Sequence, residues 1–293
     1  MIVITGGNGA FGRQVVEQLL ARIPASGLVV SVREPAAAAA LMARSIEVRR
    51  GDFNDPASLT DAFAGAETVL INATNYGTTP LVRSAQQAAA VRAAVTVGAK
   101  RIVATTWQDL DNCPLELASD FPATETLITR AGPAWTILRL CYGMAASLAR
   151  DVASAVTSGN LAAPAGDARA TPAAVTDLAE ATANALVEAG HDGHTYELTG
   201  PTAVSWTDLA ALATTLGGQR EIGYRRVTDD EFRDQVVALG FPPSLVGMLL
   251  DYYAAFRAGW ANSPSTDLSR LLGRPAVESL DAVRHAVAEQ FSP

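Results

Sequence analysis

The segment Thr5-Gly6-Gly7-Asn8-Gly9-Ala10-Phe11-Gly12 holds the residues of this chain whose type and spacing point most directly to chemistry. Glycines at 6, 9 and 12 form G-x-x-G-x-x-G, and from Gly7 the same residues also read G-x-G-x-x-G. Three needs call for glycine here: a tight turn off a strand, close approach of backbone N–H groups to a pyrophosphate, and close packing of a helix on that strand. A helix opening near Phe11 turns its partially positive end toward the phosphates. Turns collect glycine anyway, so the context decides. Here the cluster follows an apolar strand at Ile2–Thr5 and opens a helix inside a β-α-β unit. The expectation is a dinucleotide site with Gly6, Asn8, Gly9, Ala10, Phe11 and Gly12 as contacts.

Three later segments extend that site. Arg33 lies 21 residues after Gly12, where an acidic residue on the ribose 2′-hydroxyl would mark NAD. A guanidinium there pairs with a 2′-phosphate and favours NADP(H). Glu34 beside it can serve a ribose hydroxyl, so NAD(H) stays open. Gly51-Asp52-Phe53 offers a carboxylate for the adenine amino group and a ring to stack on it. Ala73, Thr74 and Asn75 fall near the nicotinamide half.

The elements that must position these residues follow an alternating β/α pattern. Apolar runs read as strands at Ile2–Thr5, Leu28–Val32, Ile46–Arg50, Thr68–Ala73, Arg101–Thr105 and Trp135–Leu140. They are apolar on both faces, as interior strands of a parallel sheet are. Asp55-Pro56 opens one helix, Ala85 to Val97 forms another that stops at Gly98, and Ser205 caps a third. Helices are also read at Met144–Thr157 and Val175–Val187, with strands at Thr195–Leu198 and near Glu221–Val227. The fold class is α/β, a Rossmann-type doubly wound parallel sheet with a smaller, mostly helical C-terminal substrate lobe. Residues 1–142 and 173–200 form the NAD(P)-binding domain; 143–172 and 201–293 form the lobe.

Composition excludes several alternatives. Of 293 residues, 49% are hydrophobic, and 30 acidic against 22 basic side chains leave a net charge of −8. That balance argues against a nucleic-acid partner. Cys113 and Cys141 cannot build a disulfide framework, and three scattered histidines give no metal pattern. Neither an export signal nor a bilayer-length apolar run is present, so no membrane partner is expected and a cytoplasmic location is. Twenty-one of the basic residues are Arg; Lys100 is the single lysine.

Taken together, these motifs resemble the short-chain dehydrogenase/reductase superfamily, in particular its atypical NmrA-like branch, which includes type 2 quinone oxidoreductases and triphenylmethane reductase. The likeness also rests on Val32-Arg33-x-Pro35, Gly98-Ala-Lys-Arg-Ile-Val103, Thr124-Glu125, Thr136-Ile-Leu-Arg139, Val175-Thr-Asp-Leu-Ala179 and Thr266-Asp-Leu-x-x-Leu-Leu-Gly-Arg274. It implies an NAD(P)H cofactor and a cleft beside the lobe for a flat, apolar acceptor.

The departure from that superfamily is informative. No Tyr-x-x-x-Lys pair exists in the chain, so the phenol that normally exchanges a proton with a carbonyl oxygen is missing. The catalytic residue is unassigned. Thr106, at the end of the fifth strand, is the one weak candidate: its hydroxyl either meets a substrate carbonyl or merely finishes a strand. Without an enzyme acid, the suitable acceptors are quinones and other electron-poor polycyclic aromatics. Thr106, Trp107, Gln108 and Tyr142 are expected to touch such a substrate, and the C-terminal aromatics Tyr252, Phe256 and Trp260 to form core. The Arg- and Ala-rich composition fits a GC-rich bacterial source, and the resemblance implies a role there in aromatic natural-product biosynthesis. There the reduced product can react with dioxygen, alone or with a partner oxygenase, giving a monooxygenase outcome. A non-catalytic NmrA-like redox sensor is the reading from another class. Oligomeric state stays open.

Overall fold

The computed structural model describes residues 1–73, 77–218 and 221–291. The first part of the chain alternates strands and helices: β1 (Ile2–Thr5), α1 (Ala10–Leu20), β2 (Leu28–Val32), α2 (Ala39–Met42), β3 (Glu47–Arg50), α3 (Pro56–Phe63), β4 (Thr68–Ile71), α4 (Pro80–Thr96), β5 (Arg101–Trp107), α5 (Phe121–Arg130) and β6 (Ala134–Leu140). Then come α6 (Met144–Ser158), β7 (Leu161–Ala163), β8 (Arg169–Ala170), α7 (Val175–Val187), β9 (His194–Leu198), β10 (Val204–Ser205), α8 (Trp206–Gly217), β11 (Tyr224–Arg226), α9 (Asp229–Ala238), α10 (Pro243–Arg257), α11 (Asp267–Leu272) and α12 (Ser279–Phe291).

Among the described residues, seven strands form one parallel sheet in the order β3-β2-β1-β4-β5-β6-β9. The chain runs outward from β1 to β3, then returns to build from β4 on the other side of β1. The carboxyl ends of β1 and β4 therefore open a crevice at the switch point. Both faces are covered. Leu59 and Phe63 of α3, the alanines of α4 and Ile128 of α5 fill one side. Val15, Val16 and Leu19 of α1 and Leu178 of α7 fill the other, in a core continuous with Trp206, Phe256, Trp260 and Leu268.

Local signals account for the helix starts. Asp55 accepts from the Ser58 N–H ahead of Pro56, Thr79 caps α4 ahead of Pro80, and Ser205 and Asp208 form a reciprocal capping box. Gly98, with φ +75°, turns the chain out of α4. Strand ends shift where pairing or side chains decide. β5 continues past Thr105 because Thr106 and Trp107 pair with Arg139 and Leu140 of β6. β4 stops at Ile71, short of Ala73, because the next two amides turn to threonine hydroxyls: Asn72 N–H donates to Thr5 Oγ1 and Ala73 N–H to Thr105 Oγ1, each at 2.9 Å. No helix among the described residues is long and apolar enough to cross a membrane.

Of the C-terminal aromatics expected in the core, Phe256 and Trp260 are buried with Tyr253, while Tyr252 is half-buried and packs against them. Within that cluster, Asp151 Oδ2 accepts from Trp206 Nε1 at 2.9 Å and Tyr253 OH at 3.0 Å. Burial of the carboxyl group pushes it up to about 6, against the lowering effect of its two donors and of Arg150. Because the folded state holds this proton more tightly than the unfolded chain, the favourable contribution is complete near pH 4 and lost as pH rises through about 6. Two units correspond to about 3 kcal/mol. Asp151→Asn keeps an oxygen for both donors. It should raise the midpoint of thermal unfolding at pH 8 relative to wild type and leave it unchanged at pH 4. A pH series of melting curves for the two proteins checks this.

Candidate active site

The glycine loop builds one wall of a cleft of about 880 Å³ at the carboxyl ends of β1, β2, β3, β4 and β5. Gly6 has φ +65°, a turn that L side chains disfavour. A Cβ on Gly12 would lie 2.3 Å from the Gly6 carbonyl oxygen and 2.8 Å from Gly7 Cα, so α1 sits against the loop only because residue 12 has no side chain. The first amides of α1 have no intrahelical carbonyl and lie at the cleft with Ala10, Phe11 and Gly12. Asn8 also lines the cleft, but its amide Nδ2 donates to the Ala37 carbonyl at 2.9 Å. It ties the glycine loop to the segment after β2.

Arg33 and Glu34 both line the cleft and both are exposed. Among the described residues, no group pairs with the Arg33 guanidinium, which leaves it free for an anion. Asp52 and Phe53 line the same end. One Asp52 oxygen is engaged by the Asn54 N–H at 2.9 Å, and Phe53 leans on the α3–α4 core. Three residues there escaped the sequence reading. Ser31 and Gln86 are buried, line the cleft, and have Oγ and Oε1 without a partner among the described residues. Asn54 holds the other end of the Gln86 amide at 3.1 Å. Ser31 shares its strand with the apolar residues around it and Gln86 comes from α4, so no local motif marks either one. Unpartnered buried polar atoms in residues that line a cleft, beside a loop that tolerates no side chain, fit an adenine dinucleotide.

At the other end, Ala73 lines the cleft, while Thr74 and Asn75 lie outside the described residues. Thr105 and Thr106 both border it. Thr106 is not poised to donate to a substrate carbonyl: its hydroxyl donates to Glu125 Oε1 at 2.7 Å. Trp107 and Gln108, unlike Thr106, are not in the cleft wall. Because β5 extends to Trp107, the indole turns into the core, with ring centres 6.1 Å from Phe121, 6.1 Å from Trp260 and 6.5 Å from Tyr252. Gln108 is buried behind it. Tyr142 is in place: it is 40% exposed at the cleft, its ring 5.2 Å from that of Phe11. Burial raises its phenol above the usual value. Lys100 sits at the amino end of β5, exposed and paired with Glu67 at 3.0 Å. That is about 20 Å of strand from the cleft.

A parallel sheet with a glycine-walled crevice at its switch point defines a Rossmann-type dinucleotide-binding protein. The chain belongs to the NAD(P)H-binding family, whose model matches residues 6–188, and it is an oxidoreductase of NmrA-like short-chain type. It is 35% identical over 286 residues to quinone oxidoreductase 2 of Escherichia coli strain K12, covering 97% of this chain and 98% of that one. The crystal structure of an NADPH-dependent quinone oxidoreductase from Escherichia coli, complexed with NADPH, superposes with a TM-score of 0.89 at 34% identity, over 97% of this chain and 99% of the other. Triphenylmethane reductase of Citrobacter sp., complexed with NADP(H), gives a TM-score of 0.90 at 28% identity, over 98% and 100%.

Proposed function

We propose that this protein passes hydride from NADPH to a quinone or a related electron-poor polycyclic aromatic. The dinucleotide, when bound, supplies the hydride. The glycine loop and the start of α1 hold its phosphates, Arg33 takes the 2′-phosphate, and Ser31, Asp52, Phe53 and Gln86 receive the adenine. The acceptor lies between Tyr142 and the lobe formed by residues 143–172 and 201–293.

The observation that carries this reading is the state of the cleft's possible acids. Tyr142 is the only phenol lining the cleft among the described residues, and burial makes it a weaker acid. An enzyme acid for a ketone needs the opposite shift, and the chain's single lysine is a strand's length away. A ketone accepting hydride becomes a localised alkoxide that must be protonated in place. A quinone becomes a delocalised hydroquinone anion, and water supplies its proton. The relatives named for quinone and triphenylmethane reduction act on acceptors of this kind.

NADPH oxidation followed at 1,4-naphthoquinone and at cyclohexanone tests the proposal. Turnover with the quinone should exceed that with the ketone by about 10² or more. Comparable rates with both would contradict it. Oxidation with neither, alongside tight NADP⁺ binding, would make the protein a dinucleotide sensor instead. Oxygen uptake matched to hydroxylated product would show that the dihydroquinone goes on to react with dioxygen in an aromatic biosynthetic setting.

A further inference from the structure

Behind the reactive end of the cleft lies a charged cluster that the hydride chemistry above does not use. Glu125 Oε1 accepts from Thr106 Oγ1 at 2.7 Å and from Arg139 Nε at 3.0 Å, and Glu125 Oε2 accepts from Arg139 Nη2 at 2.8 Å. Arg139 Nη1 is also held by Glu197 and Asp111, each at 3.0 Å. Thr106 and Glu125 are both buried. A guanidinium only donates, so both Glu125 oxygens act as acceptors in this forked pairing. The single hydroxyl proton of Thr106 is therefore committed to Glu125. Among the described residues nothing donates back to Thr106 Oγ1. What that oxygen retains, in a residue that borders the cleft, is lone pairs.

We infer that Thr106 presents a hydrogen-bond acceptor to the cleft and so selects a ligand group that donates, with Glu125 and Arg139 as the positioning residues that set this polarity. The donor is an O–H or N–H at the hydride end: a ring hydroxyl of a phenol-bearing aromatic, or the carboxamide N–H of the dinucleotide. A carbonyl oxygen finds no proton at Thr106. This rests on the reductase reading for the nature of the ligand, but unreactive probes test it apart from turnover.

The experiment compares binding of 1-naphthol and 1-methoxynaphthalene to the NADP⁺-loaded wild type, Thr106→Val, Thr106→Ser and Glu125→Gln. In parallel, binding of NADP⁺ is compared with that of its 3-acetylpyridine analogue, which has no carboxamide N–H. If a ring hydroxyl is the donor, wild type and Thr106→Ser prefer the naphthol by about tenfold, and the near-isosteric Thr106→Val loses that preference. If the carboxamide is the donor, Thr106→Val weakens NADP⁺ by about tenfold and leaves the acetylpyridine analogue unchanged. Glu125→Gln can donate to Thr106 and turn its proton into the cleft, so binding of the carbonyl probe 1-tetralone should then gain on that of the donor ligand. A merely structural role moves all probes together. Unchanged ratios for both pairs in Thr106→Val would overturn the inference, and so would a selective loss of 1-tetralone. Quinone-dependent NADPH oxidation by the same wild-type sample reports separately on the reductase reading.

Discussion

Gly12→Ala is expected to weaken NADPH binding by about 10² or more while leaving most of the fold in place. The added methyl would sit 2.3 Å from the Gly6 carbonyl oxygen and 2.8 Å from Gly7 Cα, and neither is the end of a flexible side chain. Relief requires α1 to move away from the loop that leaves β1. That movement withdraws the helix amides and distorts the turn at Gly6 together. Gly9→Ala meets the same carbonyl at 3.2 Å and should cost far less. Titration of NADPH fluorescence with the two variants measures the difference, and circular dichroism confirms that both are folded. Equal affinities for Gly12→Ala and wild type would mean that the phosphates lie elsewhere.

The second large effect concerns stability. Arg83 and Asp120 join α4 to the start of α5 with side chains 0% and 3% exposed. Arg83 Nε donates to Asp120 Oδ2 at 2.9 Å, Nη2 bonds to Oδ1 and to the Leu117 carbonyl, and the guanidinium lies 5.0 Å from the centre of the Phe121 ring. Removing one partner strands a buried charge. Asp120→Ala should therefore lose about 3–5 kcal/mol of unfolding free energy. Replacing both partners, as in Arg83→Met with Asp120→Leu, should recover most of it, because the desolvation cost disappears with the charges. Urea unfolding of the two variants decides. A loss under about 1 kcal/mol in Asp120→Ala would place this pair with ordinary surface ion pairs. Gln86 lies one turn along α4 from Arg83, so the clamp also holds the helix that presents Gln86 to the cleft.

These residues show which parts of the molecule local sequence could convey. The glycine loop, Arg33, Asp52 and the capped helices are legible because each depends on a few adjacent positions: a turn, a strand end, a cap. Strand ends were less so. Whether Thr106 and Trp107 belong to β5 depends on pairing with Arg139 and Leu140, more than 30 positions away. That pairing drew Trp107 into the core and away from a cleft that its position after Thr105 had suggested. The partner of Thr106 is likewise remote in kind: Glu125 comes from the next helix and Arg139 from the next strand. Gln86 and Ser31 carry no motif at all, since what marks them is a buried oxygen without a partner, a property only of the folded chain. The short strands β7, β8 and β10 pair two or three residues each, too few to produce a periodic signal.

In the proposed reaction, hydride reaches an acceptor that needs no acid from the protein. Isotope effects on quinone-dependent NADPH oxidation test it most directly, with deuterium at the transferred position of NADPH in one series and D₂O as solvent in the other. A clear primary effect from the labelled NADPH, with nearly equal rates in H₂O and D₂O at matched pD, is the expected result. A solvent effect as large as the primary one, lost in Tyr142→Phe, would contradict it, since a protein hydroxyl would then be passing a proton in the step that limits the rate.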